Sequence, residues 1–263
     1  MGANLRYFRL IIDLSCTEIE GFKFKFCELL IEVVFLNGST TIRIGTRAFN
    51  HCVNLQRLVL PEGLKFIEEN VFSLCSSLEE VTVPSTVILV GLQCFAHCYS
   101  LRRVDFVEPS TTTEATAMVE LREFVFNYCK ELRSVRLPQN MVSIPVSCFN
   151  HCRSLIDVLI PVKVRGIRSG SFRGCTSLTS IDLSENIDAI EREAYIYYIS
   201  LLHVTIQSLS ADLHLEHDVF QNCPEVSSIT AFPSVWPKLF HSMNNKIHPN
   251  FIFKFLKRIS LST

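Results

Sequence analysis

Glycine is scarce in this chain, at nine of 263 residues, and none of the nine falls in a G-x-G-x-x-G or G-x-x-x-x-G-K pattern. Without such a loop there is no backbone cradle for a dinucleotide or a nucleoside triphosphate. An excess of one charge is missing too: Lys plus Arg number 25 against 26 Asp plus Glu, a net charge of −1. That balance speaks against binding nucleic acid or an anionic membrane through bulk charge. Long apolar runs are also absent. The stretch from Leu29 to Leu36 is broken by Glu32 and falls far short of the roughly 20 residues that cross a bilayer. At the amino end Leu10, Ile11 and Ile12 are stopped by Asp13, before the roughly 7 to 15 apolar residues of a secretory signal. Gly2 is followed at the position that myristoylation reserves for Ser or Thr by Arg6. The expected compartment is therefore the cytoplasm, or the cell surface or exterior if the true start lies upstream.

Apolar content is high, 48% with a mean hydropathy of +0.27, so the chain must fold. Self-similarity dominates it. A frame of Phe-x-x-Cys-x-x-Leu-x-x-Val-x-Leu-Pro recurs about every 23 residues: Phe49, Phe72 and Phe95 are 23 apart, as are Phe126, Phe149, Phe172 and Tyr195. Eight residues are inserted between Phe95 and Phe126, and two between Tyr195 and Phe220. A looser unit opens at Phe24 with Cys27, Leu30 and Val33, and a truncated one closes at Phe220, Cys223, Val226 and Ile229. Within a unit, Val81-Thr82-Val83 has the period of two that predicts a short strand, one per coil. Cys94-Phe95-x-x-Cys98 has the spacing of one or two helical turns. No such coil can bury its apolar face alone; stacked at about 4.8 Å, neighbours align Val on Val, Phe on Phe and Cys on Cys.

The frame Phe49-Asn-His-Cys52-x-x-Leu55-x-x-Leu58-x-Leu60-Pro61-Glu-Gly-Leu64-x-x-Ile67 resembles the BspA-like class of leucine-rich repeat, over about residues 24 to 233. The resemblance implies an α/β solenoid: a right-handed coil with a concave parallel β-sheet and short helices or turns on the convex side. It also implies a non-catalytic scaffold that binds a protein partner on the concave sheet; surface recognition or adhesion is the alternative within the family. Tyr195 and Tyr198 replace the Phe and Cys of one late unit, and Ser184 and Gln207 replace the Pro, as suits rungs approaching a cap. An enzyme is the reading from another class. No nucleophile motif supports it, and the histidines repeat with the rungs. No cofactor is expected.

Eight of the 11 cysteines hold the repeat position: Cys27, Cys52, Cys75, Cys98, Cys129, Cys152, Cys175 and Cys223. Stacked, reduced, buried thiols explain them. A disulfide ladder is the rival, but side chains stacked in parallel point alike, which fits poorly with a dihedral near 90°. Cys94-Phe-Ala-His97-Cys98 and Cys148-Phe-Asn-His151-Cys152 suggest metal, yet their thiols coincide with core columns; a structural zinc needs four converging ligands, so no metal is expected.

Leucine-rich repeat proteins bind through exposed positions of the concave sheet, and two columns supply them. One runs Glu32, Arg57, Glu80, Arg103, Ser134, Asp157, Ser180, His203, Ser228; the other runs Val34, Val59, Thr82, Asp105, Arg136, Leu159, Asp182, Thr205, Thr230. Alternating signs predict that Glu32, Arg57, Glu80 and Arg103 satisfy one another across strands. The candidate protein-binding residues are Arg57, Glu80, Arg103, Asp105, Arg136, Asp157, Asp182 and His203, centred on Arg136 beside Asp105 and Asp157. Arg and aromatic anchors usually carry such surfaces, and these columns offer only the Arg.

Three regions follow. Residues 1–23 form a degenerate opening rung, 24–233 the solenoid, and 234–263 a helical cap. An insertion near 107–123 contains the polar stretch Glu108 to Thr116, a loop. From Trp236 onward, Lys238, Lys246, Lys254, Lys257 and Arg258 stand without any Asp or Glu. Phe251, Ile252, Phe253, Phe255, Leu256 and Ile259 are predicted to share one side of a short helix, a cap by first reading and a membrane-surface segment by second. Asn37-Gly38-Ser39 is the one glycosylation sequon, relevant only outside the cell. A monomer binding a protein, and no nucleic acid, is expected.

Overall fold

The computed structural model describes residues 7–109, 118–197, 200–208, 212–242 and 252–255. Two parallel sheets run along a β-solenoid of stacked coils. The front sheet uses the strands that the period of two predicts, among them Leu30–Phe35, Arg57–Val59, Glu80–Val83, Arg103–Phe106, Ser134–Arg136 and Asp157–Leu159. Every strand pairing is parallel and joins coils that neighbour each other in sequence, as Val81 to Val104 to Val135 to Val158 illustrates. The front ladder falls into three hydrogen-bonded groups, with breaks after Val59 and after Leu159.

Each coil before the last carries a second strand as well, where one was expected. Arg43–Ile44, Phe66–Ile67, Leu89–Val90 and Glu120–Leu121 form a side sheet with Glu18–Ile19, and Ser143–Ile144 through His214–Leu215 continue it. Two residues are too few to show a period in sequence, though the inward member is consistently aliphatic: Ile44, Ile67 and Val90 are fully buried.

The third side is made of turns, one of the two alternatives that the resemblance implies; the helical turns expected from the Cys94-Phe95-x-x-Cys98 spacing do not form. In each coil the residues two before and two after the Phe adopt left-handed backbone, for instance Gln93 (φ 54°) and His97 (φ 62°) around Phe95. A left-handed residue interrupts any helix, and it costs about 1–2 kcal/mol where it is not glycine. Its reward is a turned N–H. Gln93, Phe95 and His97 donate to the carbonyls of Glu123, Val125 and Asn127 on the next coil at 3.0, 2.9 and 2.8 Å. Ala96 and Cys98 donate within their own coil, to Gln93 and Phe95 at 3.1 and 3.3 Å. An unpaired buried donor costs about 1–3 kcal/mol, so satisfying three per coil outweighs the strain of two residues.

Inside these turns the repeated rings stack. Phe24, Phe49, Phe72, Phe95, Phe126, Phe149, Phe172, Tyr195 and Phe220 form one column with successive centroids between 5.2 and 5.8 Å apart. The seven from Phe49 to Tyr195 are fully buried. Tyr195 therefore takes the place of a Phe without breaking the column; its companion Tyr198 lies outside the described residues.

At the carboxyl end Trp236–Ser242 is the one α-helix among the described residues, and it buries Trp236 and Leu239. Beyond it Ile252–Phe255 is a strand, correcting the predicted helix there: it pairs in parallel with Ser228–Ala231. The alternation in Phe253-Lys254-Phe255 suits a strand, and the last front strand offers an open edge to pair with. Residues 256–263 and most of the insertion, 110–117, lie outside the described residues. Glu108 at the start of the insertion accepts a hydrogen bond from the Gln139 backbone N–H at 3.0 Å.

Two substitutions test this packing. Truncating the middle of the ring column with Phe126→Ala is expected to cost about 3–5 kcal/mol in urea unfolding. Gln93→Gly, which relieves a left-handed residue, is expected to stabilise by about 1 kcal/mol, whereas Gln93→Val destabilises by at least as much; equal midpoints for the two would refute the role assigned to the turn.

Candidate functional site

All eight candidate residues of the front sheet point outward. Arg57, Glu80, Arg103, Arg136, Asp157, Asp182 and His203 are exposed and Asp105 is half-buried. Their mutual arrangement differs from the predicted ladder of alternating signs. Glu32 is held by both neighbours, Arg9 and Arg57, the latter at 3.7 Å. Arg103, however, turns away from Glu80, its register partner, and binds Asp105 on its own strand at 2.6 Å. Residues two apart on a strand share a face, so this carboxylate competes with the one across the ladder and wins.

That choice isolates Arg136. It lies opposite Asp105 in the register, but the Asp105 carboxylate is occupied by Arg103, and Arg136 enters no ion pair among the described residues. Asp157 stands opposite Ser134, one step diagonal to Arg136. Arg103, Asp105, Arg136 and Asp157 thus meet around a shallow hollow of about 290 Å³, with Gln139 and Leu159 at its rim. Leu159 is 73% exposed, an apolar contact beside the charges. Arg57 and Glu80 line a neighbouring hollow of about 460 Å³ with Gln56, Glu79 and Thr82. Asp182 and His203 belong to neither; His203 Nδ1 is bonded to Ser228 Oγ at 2.8 Å. A third hollow, about 480 Å³, lies where the front sheet turns at Leu36 to Ser39 and Pro61, and the sequon residue Asn37 lines it.

The thiols have a definite structural job. Cys52, Cys75, Cys98, Cys129, Cys152 and Cys175 each donate from Sγ to the carbonyl of the column residue one coil back, Phe24, Phe49, Phe72, Phe95, Phe126 and Phe149, at 3.1 to 3.3 Å. Cys223 does the same to Tyr195 at 3.0 Å. The carbonyl of Phe72 already accepts the N–H of Cys75 in its own coil, so the thiol fills its second lone pair. All 11 cysteines are free. Burial pushes the Cys94, Cys98, Cys148 and Cys152 thiols well up and Cys129 up to about 12, which disfavours the thiolate that a metal requires. His97 and His151 sit on the outer edge of the turns, away from these thiols. No group of three or more candidate metal ligands occurs among the described residues.

One surface was not anticipated. In the sequence His97 and His151 stand out only beside the thiols; the structure sets the residues two past each Phe on the turn edge, where the rings of His97, Tyr128 and His151 stack. Tyr99, Lys130 and Arg153, one past each repeat cysteine, flank them. Reading those two positions down the array would have exposed the pattern.

A parallel β-solenoid with one Phe and one Cys column agrees with a leucine-rich repeat protein. The family model for the BspA type leucine rich repeat region matches in six copies, over residues 3–118 and 111–227. The chain belongs to that family. Among solved structures it is similar to the T. pallidum leucine rich repeat protein TpLRR, at 28% identity over 65% of this chain and 78% of that one, with a TM-score of 0.57. It is also similar to a Bacteroides ovatus leucine-rich repeat protein, at 16% identity over 94% of this chain and 92% of that one, TM-score 0.44. A third is the pneumococcal vaccine antigen PcpA, at 17% identity over 95% and 79%, TM-score 0.46. No curated protein matches the chain. Among the described residues no helix is long and apolar enough to cross a membrane.

The raised thiol pKa values have a linkage consequence. A thiol held neutral in the fold and free to ionise when unfolded, near 9.0, stabilises the fold fully below that pH; the contribution is lost as pH rises toward the folded value. The urea midpoint in reducing buffer is expected to hold up to about pH 9.0 and to fall as pH rises from there toward about 12, the folded value of Cys129. A flat profile would contradict the burial of these groups.

Proposed function

We propose that this protein is a non-catalytic scaffold that holds a protein partner against the front sheet, at the hollow formed by Arg103, Asp105, Arg136 and Asp157. Membership of the BspA-type repeat family supports a scaffold, and the front columns vary from coil to coil while the buried columns repeat. The observation that carries the location is Arg136, whose register partner is already bonded to Arg103. An uncommitted guanidinium beside an exposed Leu is the kind of anchor that dominates protein interfaces, and its fork suits a carboxylate on the partner. Eleven free thiols fit a reducing compartment, and the cytoplasm and a monomeric state complete the proposal.

The test is affinity capture from the native source in reducing buffer, followed by titration of the partner recovered. Substituting Arg103→Ala together with Arg136→Ala is expected to weaken that partner at least about tenfold, the loss of one hot-spot arginine. Undiminished binding rejects the front-sheet hollow.

A further inference from the structure

The turn edge carries a second surface of different chemistry. The rings of His97 and Tyr128 stack at 5.1 Å with an 8° tilt, and those of Tyr128 and His151 at 4.7 Å with a 30° tilt. The facing sides of the three rings are spent on one another, so along the stack solvent meets ring edges, the positive part of the aromatic quadrupole. Alongside, on the same three coils, stand Tyr99, Lys130 and Arg153. Lys130 Nζ lies 5.0 Å from the Tyr99 ring centre, and the Tyr99 hydroxyl is 3.1 Å from His97 Nδ1. Lys130 and Arg153 are exposed, and neither enters an ion pair among the described residues. Arg173 approaches from the next coil, bonded to Glu193 at 2.8 Å; Glu131, beside Lys130, is the acid nearest in the chain.

Three cations converge here. His151 is held below its usual pKa by burial and then by Arg153, Arg173 and Lys130, and His97 by burial and Lys130. Directly beyond His151 the column is emptied by Gly174, in left-handed backbone at φ 70°; a Cβ there would come within 2.8 Å of His151 Nδ1. Glycine thus lets the last ring lie against the next coil and leaves no side chain in front of it.

We propose that this ridge binds an acidic peptide segment of a protein partner, with carboxylates on Lys130 and Arg153. The site is distinct from the front-sheet hollow. Charge complementarity requires an anion, and the ring geometry selects its type. Bases of single-stranded nucleic acid bind by stacking on aromatic faces; here both faces of Tyr128 are taken by His97 and His151, and the outer face of His151 lies against Gly174. Carboxylates need only the ring edges and the cationic heads. Acidic side chains at alternate positions of an extended peptide are about 6.8 Å apart and coils about 4.8 Å apart, a difference that the long Lys130 and Arg153 side chains absorb.

The test is fluorescence anisotropy of a labelled deca-glutamate peptide titrated with the intact protein in reducing buffer at low salt. Saturable binding is expected, weakened at least about fivefold by Lys130→Gln with Arg153→Gln, which removes the charge-assisted contacts, and less than about twofold by Lys65→Gln with Lys163→Gln, which removes equal charge from exposed sites elsewhere. Absence of saturable binding, or equal losses in the two double variants, overturns the proposal. Tighter binding of a labelled oligothymidine or a sulfated oligosaccharide through the same two residues overturns the peptide assignment. Thermal melts confirm folding, and Arg153→Lys, which keeps the charge, is expected to retain binding should the double variant unfold.

Discussion

The whole molecule depends on one constraint: a coil of about 23 residues exposes two flat apolar sides that only another coil can cover. Everything repeated in the sequence serves that closure. The inward Val and Leu of the front strand, the aliphatic residue of the side strand and the stacked Phe all meet their own counterparts above and below. The repeat length and the strand spacing are two views of the same requirement. If coil n and coil n+1 differ in length, the difference must be placed where nothing stacks, and the longer spacing between Phe95 and Phe126 falls between the strand ending at Phe106 and the one opening at Glu120.

Much of this was legible before any coordinates. Phe, Cys and Leu recur at fixed offsets because each offset maps to one column, and the period-two pattern marked the front strands correctly. The turns were not legible. Left-handed residues here are Gln93, His97, Asn70, Leu74, Tyr128 and others, a set with no shared composition, since the hydrogen bonds to the next coil override local preference. Within the turns that flank the ring column, only Gly170 and Gly174 are the residue that such backbone favours. The strand at Ile252–Phe255 was hidden for a related reason: an open sheet edge recruited a segment whose apolar residues also suit a helix.

The front-sheet residues were placed on the right face, but their partners were not predictable from columns alone. Arg103 had two acids beside it, Glu80 across the ladder and Asp105 along its own strand, and it pairs with the second. The freedom of Arg136 follows from that decision. The turn-edge ridge escaped notice because each of its members, taken singly, looked like a neighbour of the core. It is the conjunction of His97, Tyr128 and His151 with Lys130 and Arg153 on three successive coils that gives it character.

The thiol-to-carbonyl bonds have one more implication. From Cys52 to Cys175 every coil holds a buried sulfhydryl behind its ring column, each bonded to the carbonyl of the column residue one coil back. A modifying reagent can reach such a group only when the coils on either side part. The array therefore carries an internal set of gauges, spaced along its axis, from which the order of local opening can be read one layer at a time.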